Sequence, residues 1–237
     1  MIDIQSINSS SSGNCYRITS RKSSLLLDCG VPISKIREAL KFEMSTVSGC
    51  LVSHEHGDHS KAINDLMKYG VDVYMSQGTA SELKNLPSTH RLHIVKAGEQ
   101  FRVGSWSVMP FDTVHDCQEP LGFLIASNGG DKLLFATDTA YLRQTFVGLT
   151  HIMIECNYTM SVLQERLNAG EIDKSRYDRG IRTHFGLDHV LDLLKANDLS
   201  RVKEIHLMHM SDENINEDHA VREVRKLTGI PTFACQK

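Results

Sequence analysis

Six apolar, strand-like runs of this chain each end directly on a single Asp, Glu or His. Asp28 follows Leu25-Leu26-Leu27, His54 follows Leu51-Val52-Ser53, and His115 follows Phe111-Asp112-Thr113-Val114. Asp138 follows Leu134-Phe135-Ala136-Thr137, Glu155 follows Ile152-Met153-Ile154, and His209 follows His206-Leu207-Met208. Residues on loops at one end of a sheet can converge while the strands behind them hold them rigid. The repetition points to a fold in which strand ends assemble a metal site.

The densest of these places reads His54-Glu55-His56-Gly57-Asp58-His59. Imidazole and carboxylate are the common ligands of zinc and related ions. His54 and His56, two apart on extended backbone, point the same way and can share one ion. Gly57 lets the chain turn, so Asp58 and His59 can reach a second position nearby. His206 competes with His209 for a ligand place. Three apart on a strand they face opposite sides, and His209, lying past the apolar run like the other candidates, is preferred. Among the 12 histidines, His90, His93, His151, His189 and His219 read as surface or partly buried residues.

A length of 237 residues allows one large domain or two small ones. No repeat, low-complexity tract or linker divides the chain, so a single domain over 1–237 is expected. Lys plus Arg is 26 against 29 for Asp plus Glu, a net charge of −3. Global charge therefore gives no argument for nucleic-acid binding, although a local basic patch is still allowed. No apolar run approaches the ~18–20 residues that span a bilayer, and no basic-then-apolar leader opens the chain. Six scattered cysteines without a CxxC pair read as thiols in a reducing compartment. A soluble cytoplasmic protein is the expectation.

Strands are expected at Cys15–Thr19, Leu25–Leu27, Cys50–Ser53, Val71–Met75, Leu92–Val95, Trp106–Val114, Leu121–Ala126, Leu133–Thr137, Ile152–Ile154 and Ile205–Met208. Helical spacing appears over Ser34–Lys41, Lys61–Tyr69, Thr79–Lys84, Met160–Leu167, Leu187–Ala196 and Glu217–Leu227. A strand-rich first half and an alternating second half make an α/β (α+β) chain with sheets covered by helices. A loop-and-helix insertion from Tyr158 to Arg182 carries five basic and four acidic residues and reads as a solvated face.

The ordered set Asp28, His54-x-His56-x-Asp58-His59, His115, Asp138 and His209 resembles the metallo-β-lactamase superfamily over nearly the whole chain. Ser10–Asn14, Leu25–Gly30, Glu155-Cys156-Asn157 and His209-Met210-Ser211 look like its nuclease-like YycJ (WalJ) branch. Where that branch carries Gly-His-Leu-Ser-Asn, this chain reads Thr183-His184-Phe185-Gly186-Leu187, and only the His is shared. The resemblance implies a four-layer αβ/βα sandwich with the site at one sheet edge. It implies one divalent ion on His54, His56 and His115, and a second on Asp58, His59 and His209, with Asp138 bridging. Asp28 would stand behind the ligands, holding an imidazole by its other ring nitrogen. His184, close to Arg182, would touch substrate, either at a phosphate oxygen or as a proton donor.

Three imidazoles suit Zn²⁺; the carboxylate-richer second place would also take Mn²⁺ or Fe²⁺. Two ions sharing a water lower its pKa toward ~7 and yield a bridging hydroxide nucleophile, with Asp58 and His184 as the catalytic candidates. A phosphodiesterase or nuclease is the expected activity. A carboxylic ester, thioester or lactone hydrolase on the same dinuclear site is the alternative, and a metal-stabilised scaffold a third reading. Arg182, His184 and Asn157 lean toward phosphate. From Asp138 to His209 is 71 positions, too few for the large clamp domain that β-CASP relatives insert. A nucleic-acid groove must then come from short loops or from a second subunit in a homodimer.

Overall fold

Leu25, Leu26 and Leu27 are all fully buried, as in a strand covered on both faces. They are the last three residues of a strand in the first of the two compact units of this chain. The structure, a computed structural model, describes residues 1–87 and 90–236. The first unit comprises Met1–Asp112, Cys117–Asp131 and Gln236; the second comprises Thr113–Asp116 and Lys132–Cys235.

In the first unit the elements run β1 (Asp3–Ser10), β2 (Gly13–Ser20), β3 (Ser23–Leu27), α1 (Ile33–Ala39), β4 (Val47–Leu51), α2 (Gly57–Ser60) and α3 (Ile63–Lys68). Then come β5 (Val73–Met75), α4 (Gln77–Glu82), β6 (Leu92–Ile94), β7 (Phe101–Val103), β8 (Trp106–Asp112) and β9 (Leu121–Ser127). Strands β1 to β6 form one sheet in sequence order. Its first three strands are an antiparallel meander; β3 to β6 pair in parallel. Each parallel step needs a crossover, and the helical segments supply them. Ile36, Leu40, Ile63, Leu66 and Met67 join Leu26, Cys50, Val52 and Val73 in one buried cluster. The period-2 alternation sends Gly49 and Leu51 to the opposite face. There Tyr74 stacks on Phe101 at 5.2 Å and Trp106 Nε1 donates to Ser23 Oγ at 2.8 Å. The antiparallel strands β7, β8 and β9 thus cover the second face.

The second unit runs β10 (Lys132–Ala136), β11 (His151–Glu155), α5 (Met160–Asn168), α6 (Lys174–Thr183), α7 (Leu187–Ala196), β12 (Glu204–Met208), α8 (Glu217–Thr228) and β13 (Thr232–Ala234). Its four strands form a parallel ladder in sequence order. Every residue of β11 is buried. Helix α7 buries Leu187, Val190, Leu193 and Leu194 along one stripe. Helix α8 is capped by Asn216, whose side chain accepts from His219 N, and stops at Gly229 with φ +70°, the usual left-handed helix ending. Tyr158, Leu163 and Ile172 make a small core under α5 and α6.

The ten expected strands are all present. Three further strands escape a hydrophobicity reading. β1 is largely polar, β7 is a Phe-Arg-Val triplet broken by a charge and β13 a Thr-Phe-Ala triplet, so none of them carries a run of apolar residues. Among the described residues no helix is long and apolar enough to cross a membrane.

One glycine couples the fold to the histidine-rich loop. A Cβ on Gly30 would sit 1.6 Å from the carbonyl oxygen of Asp58, so the strand end after β3 and the first turn of α2 touch backbone to backbone. Cys29 N donates to His59 O at 2.8 Å beside it. Gly30→Ala is expected to destabilise the protein by at least about 1–3 kcal/mol and to lower its metal content, measured by thermal melting and elemental analysis. A variant with wild-type melting and metal content would show that the loop does not depend on this approach.

Candidate metal centre

Of the candidate residues, the first unit brings together Asp28, His54, His56, Asp58 and His59. Asp28 is fully buried at the end of β3 and its carboxylate accepts three hydrogen bonds. These come from Ser53 N at 2.7 Å, Ser53 Oγ at 3.0 Å and His59 Nδ1 at 2.7 Å. With its proton on Nδ1, His59 carries its lone pair on Nε2. That nitrogen lies 3.1 Å from Asn14 Nδ2 and 3.4 Å from Asp58 Oδ2. Ser53 Oγ, having given its proton to Asp28, accepts from His54 Nδ1 at 2.9 Å. His54 Nε2 is thereby also the lone-pair nitrogen, 3.1 Å from His56 Nδ1. One carboxylate therefore sets the tautomers of two imidazoles, directly for His59 and through a hydroxyl for His54. Both present the nitrogen that a metal needs.

Glu55, inside the motif, takes a different part. Its carboxylate accepts from Gln118 N at 2.8 Å and lies 3.4 Å from Thr79 Oγ1, tying the motif to the loop before β9.

The second unit brings together His115, Asp138, Glu155, His184 and His209. Ligand-type atoms of Asp138, Glu155, His184 and His209 all lie within 4.8 Å of one another. His209 Nδ1 is 2.9 Å from Asp138 Oδ1 and 3.0 Å from Glu155 Oε1, so its lone pair is on Nε2. His115 Nδ1 donates to Thr183 O at 2.8 Å, and its Nε2 is 3.6 Å from Asp138 Oδ2. Burial lowers the His115 pKa despite the carboxylates of Asp138 and Glu155, which favours the neutral ring.

Glu155 was legible only as one more strand-end carboxylate, with no role of its own. In the fold it is the hub. Oε1 accepts from His184 Nδ1 at 2.6 Å and His209 Nδ1 at 3.0 Å. Oε2 accepts from Thr139 N at 2.9 Å and Phe185 N at 3.0 Å. Burial pushes its pKa up, but His184 and His209 outweigh that and hold it below the ordinary value. For His184 burial pulls the pKa down, and Glu155, helped by Asp138, more than reverses it, leaving the imidazole easier to protonate than usual. The available signal was its place at the end of a fully apolar run. What could not be seen was that two histidines and two backbone amides converge on it.

Three of these strand-end residues have left-handed backbone: Asp28 at φ +56°, Asp138 at +36° and His209 at +49°. Asp and His tolerate that region better than most residues, yet strain of this kind persists only where the surroundings hold it. Asp28 meets His59 in the first unit, and Asp138 meets His209 in the second. His206, by contrast, pairs with Glu204 at 3.1 Å and packs on Phe233.

Residues 24–210 match the family model described as "Beta-lactamase superfamily domain". "Exodeoxyribonuclease YycJ" of Bacillus anthracis is 30% identical over 230 residues, covering 88% of this chain and 83% of that protein. "Exodeoxyribonuclease WalJ" of Streptococcus pneumoniae is 27% identical over 221 residues, covering 87% of this chain and 80% of that one. Among solved structures, the metallo-β-lactamase fold protein YhfI from Bacillus subtilis superposes with a TM-score of 0.75 at 15% identity, over 99% of this chain and 96% of that one. The resemblance and the α/β fold class expected from the sequence are borne out.

Proposed function

Because the chain belongs to the metallo-β-lactamase superfamily, we propose that it is a metal-dependent hydrolase that cuts phosphodiester bonds in nucleic acid, its two units acting as one catalytic domain. The donor set fits two divalent ions: His54, His56 and His115 would hold one and Asp58, His59 and His209 the other, with Asp138 as a carboxylate ligand available to both. Zn²⁺ suits the first, and the second also accepts Mn²⁺ or Fe²⁺. Such ions polarise a phosphoryl oxygen and lower the pKa of water.

The chain's own residues do the rest. Asp28 holds His59, and Glu155 holds His209, in the tautomer that ligates through Nε2. Glu155 also keeps a proton on His184 Nδ1. Against the effect of burial, the Glu155 carboxylate raises the His184 pKa, so this imidazole takes up a second proton, on Nε2, more easily than an ordinary histidine. As a water oxygen bonds to phosphorus, losing its proton to solvent, and the P–O bond to the leaving group breaks, that Nε2 proton would pass to the leaving alkoxide oxygen, while His184 Nδ1–H stays hydrogen-bonded to Glu155. Dedicated structural zinc sites close at four ligands; this set is larger and includes a protonatable imidazole.

The observation that carries the reading is the buried Asp138–Glu155–His184–His209 cluster, which joins ligand-type groups to a proton donor through one carboxylate. The relatives named as exodeoxyribonucleases support nucleic acid as the substrate class. No disulfide forms among the described residues, in keeping with a cytoplasmic setting.

Metal-loaded protein incubated with single- and double-stranded DNA and RNA is expected to release shorter products, and an Asp58→Ala preparation is not. Equal cleavage by both would assign the activity to a contaminant. Turnover of bis-(p-nitrophenyl) phosphate is expected to exceed that of a thioester; the reverse order would favour acyl hydrolysis. Elemental analysis of protein purified without chelator is expected to show close to two ions per chain.

A further inference from the structure

Helix α6 ends on the candidate proton donor, His184, and is the most basic element of the second unit. It carries Lys174, Arg176, Arg179 and Arg182 against one carboxylate, Asp178, which is held by Lys174 at 3.1 Å. Arg176, Arg179 and Arg182 are spaced i, i+3 and i+6, so they share one helix face over about 9 Å. All three are exposed. Arg176 meets Glu213 at 3.5 Å and Arg179 meets Asp116 at 3.0 Å, in pairs open to solvent; such pairs contribute little and exchange partners readily. Arg182 Nε donates to Asp178 O, and among the described residues no carboxylate pairs with Arg182.

The stripe is fastened to the cluster at its His184 end. His115 Nδ1 donates to Thr183 O, and Arg179 reaches Asp116, the residue after His115. Two large apolar side chains near the same cluster are exposed. Tyr141 is 54% and Val114 49% accessible, held together because Ala140 N donates to Val114 O at 2.7 Å. Thr139 braces this corner, accepting from Val114 N and donating to Tyr141 O, while its own N–H is bound by Glu155. The Tyr141 ring lies edge-on to His189, 6.5 Å between centroids.

We propose that Arg176, Arg179 and Arg182 form a phosphate track, and Tyr141 a base-stacking platform, for a single-stranded oligonucleotide entering the Asp138–Glu155–His184–His209 cluster. The inference rests on the phosphodiester reading above and adds the strand form and the residues that hold it. A nucleic-acid strand carries a charge about every 3.4 Å in a duplex, so the stripe spans more than one phosphate. Guanidinium groups bind phosphate by paired hydrogen bonds. A base offers its flat face to Tyr141 only when it has no partner strand, and one such stack contributes about 1–3 kcal/mol.

The test is fluorescence anisotropy of a labelled single-stranded DNA oligonucleotide with the full metal-loaded chain, in EDTA-free buffer at several salt concentrations, cleavage being blocked by phosphorothioate linkages. Arg182→Ala and Arg179→Ala are each expected to weaken binding and to reduce the slope of log affinity against log salt by about 0.7. Tyr141→Ala is expected to weaken binding about 5- to 100-fold with the slope unchanged, and Tyr141→Phe to restore it. Lys226→Ala, on α8, is expected to bind as wild type, and an unlabelled duplex of the same length to compete poorly. Wild-type slopes in both Arg variants, full affinity in Tyr141→Ala, or equal competition by the duplex would overturn the proposal while the protein still cleaves nucleic acid. A chain that neither binds nor cleaves any oligonucleotide would overturn the phosphodiester reading itself.

Discussion

Asp138→Ala is expected to lower phosphodiester turnover at least a thousandfold, about 4 kcal/mol of transition-state stabilisation, and to bring bound metal from near two ions per chain toward one. Asp138 is buried, left-handed at φ +36°, and within 2.9 Å of His209 Nδ1. In the proposed centre its carboxylate would be a ligand available to both ions, so its loss would weaken the hold on each. Ala at that backbone angle adds strain, so Asp138→Asn is the companion variant: it keeps the tolerated backbone and most of the shape while removing the charge. Both are expected to lose activity and metal together, with Asn folding closer to wild type. The measurements are kcat on an oligonucleotide and elemental analysis on the same samples. Wild-type metal content in Asp138→Asn would remove this residue from the centre.

Replacing Glu155 is expected to cost both stability and activity. Four donors converge on its carboxylate: Thr139 N, Phe185 N and the Nδ1 atoms of His184 and His209. Glu155→Ala would strand them in a buried place, at about 1–3 kcal/mol for each that finds no other acceptor. Removing one side of a buried charge pair typically costs about 3–5 kcal/mol in total. At roughly 2–4 °C per kcal/mol for a chain of this size, melting should fall by about 10 °C. Glu155→Gln keeps the shape but turns an amide NH₂ toward two of the four donors. It should recover part of the stability while remaining about 10- to 100-fold below wild type in activity or metal affinity.

The metal-free protein adds a pH signature. The lowered pKa of Glu155 contributes stability above the ordinary carboxylate range that is lost as pH falls through the lowered value. The raised pKa of His184 contributes stability below the ordinary imidazole value that is lost as pH rises through the raised one. Wild-type melting should therefore decline on both flanks, and Glu155→Gln should flatten both. A melting profile identical to wild type in Glu155→Gln would mean that Glu155 does not hold these two rings.

Much of this could be read directly from the chain. Strands with fully apolar runs, such as Leu25–Leu27 and Leu133–Ala136, declare themselves by composition. The histidine string at 54–59 is legible because metal ligation admits few residue types and the spacing is short. Helices such as α7, with Leu187, Val190, Leu193 and Leu194 on one stripe, follow from periodicity. Strand β1 was not legible because its side chains are mostly polar and its pairing with β2 is a backbone matter.

What the linear order determined was which residues have the chemistry to hold metal and where along the chain each strand delivers one. What only the tertiary structure decided was which of them share a carboxylate. Asp28 reaches His59 across 31 positions and Glu155 reaches His209 across 54. Such pairings depend on strand register and on a few left-handed backbone turns at strand ends. Neither leaves a local trace, because a hydrogen bond between distant residues constrains only their final positions and not the sequence between them.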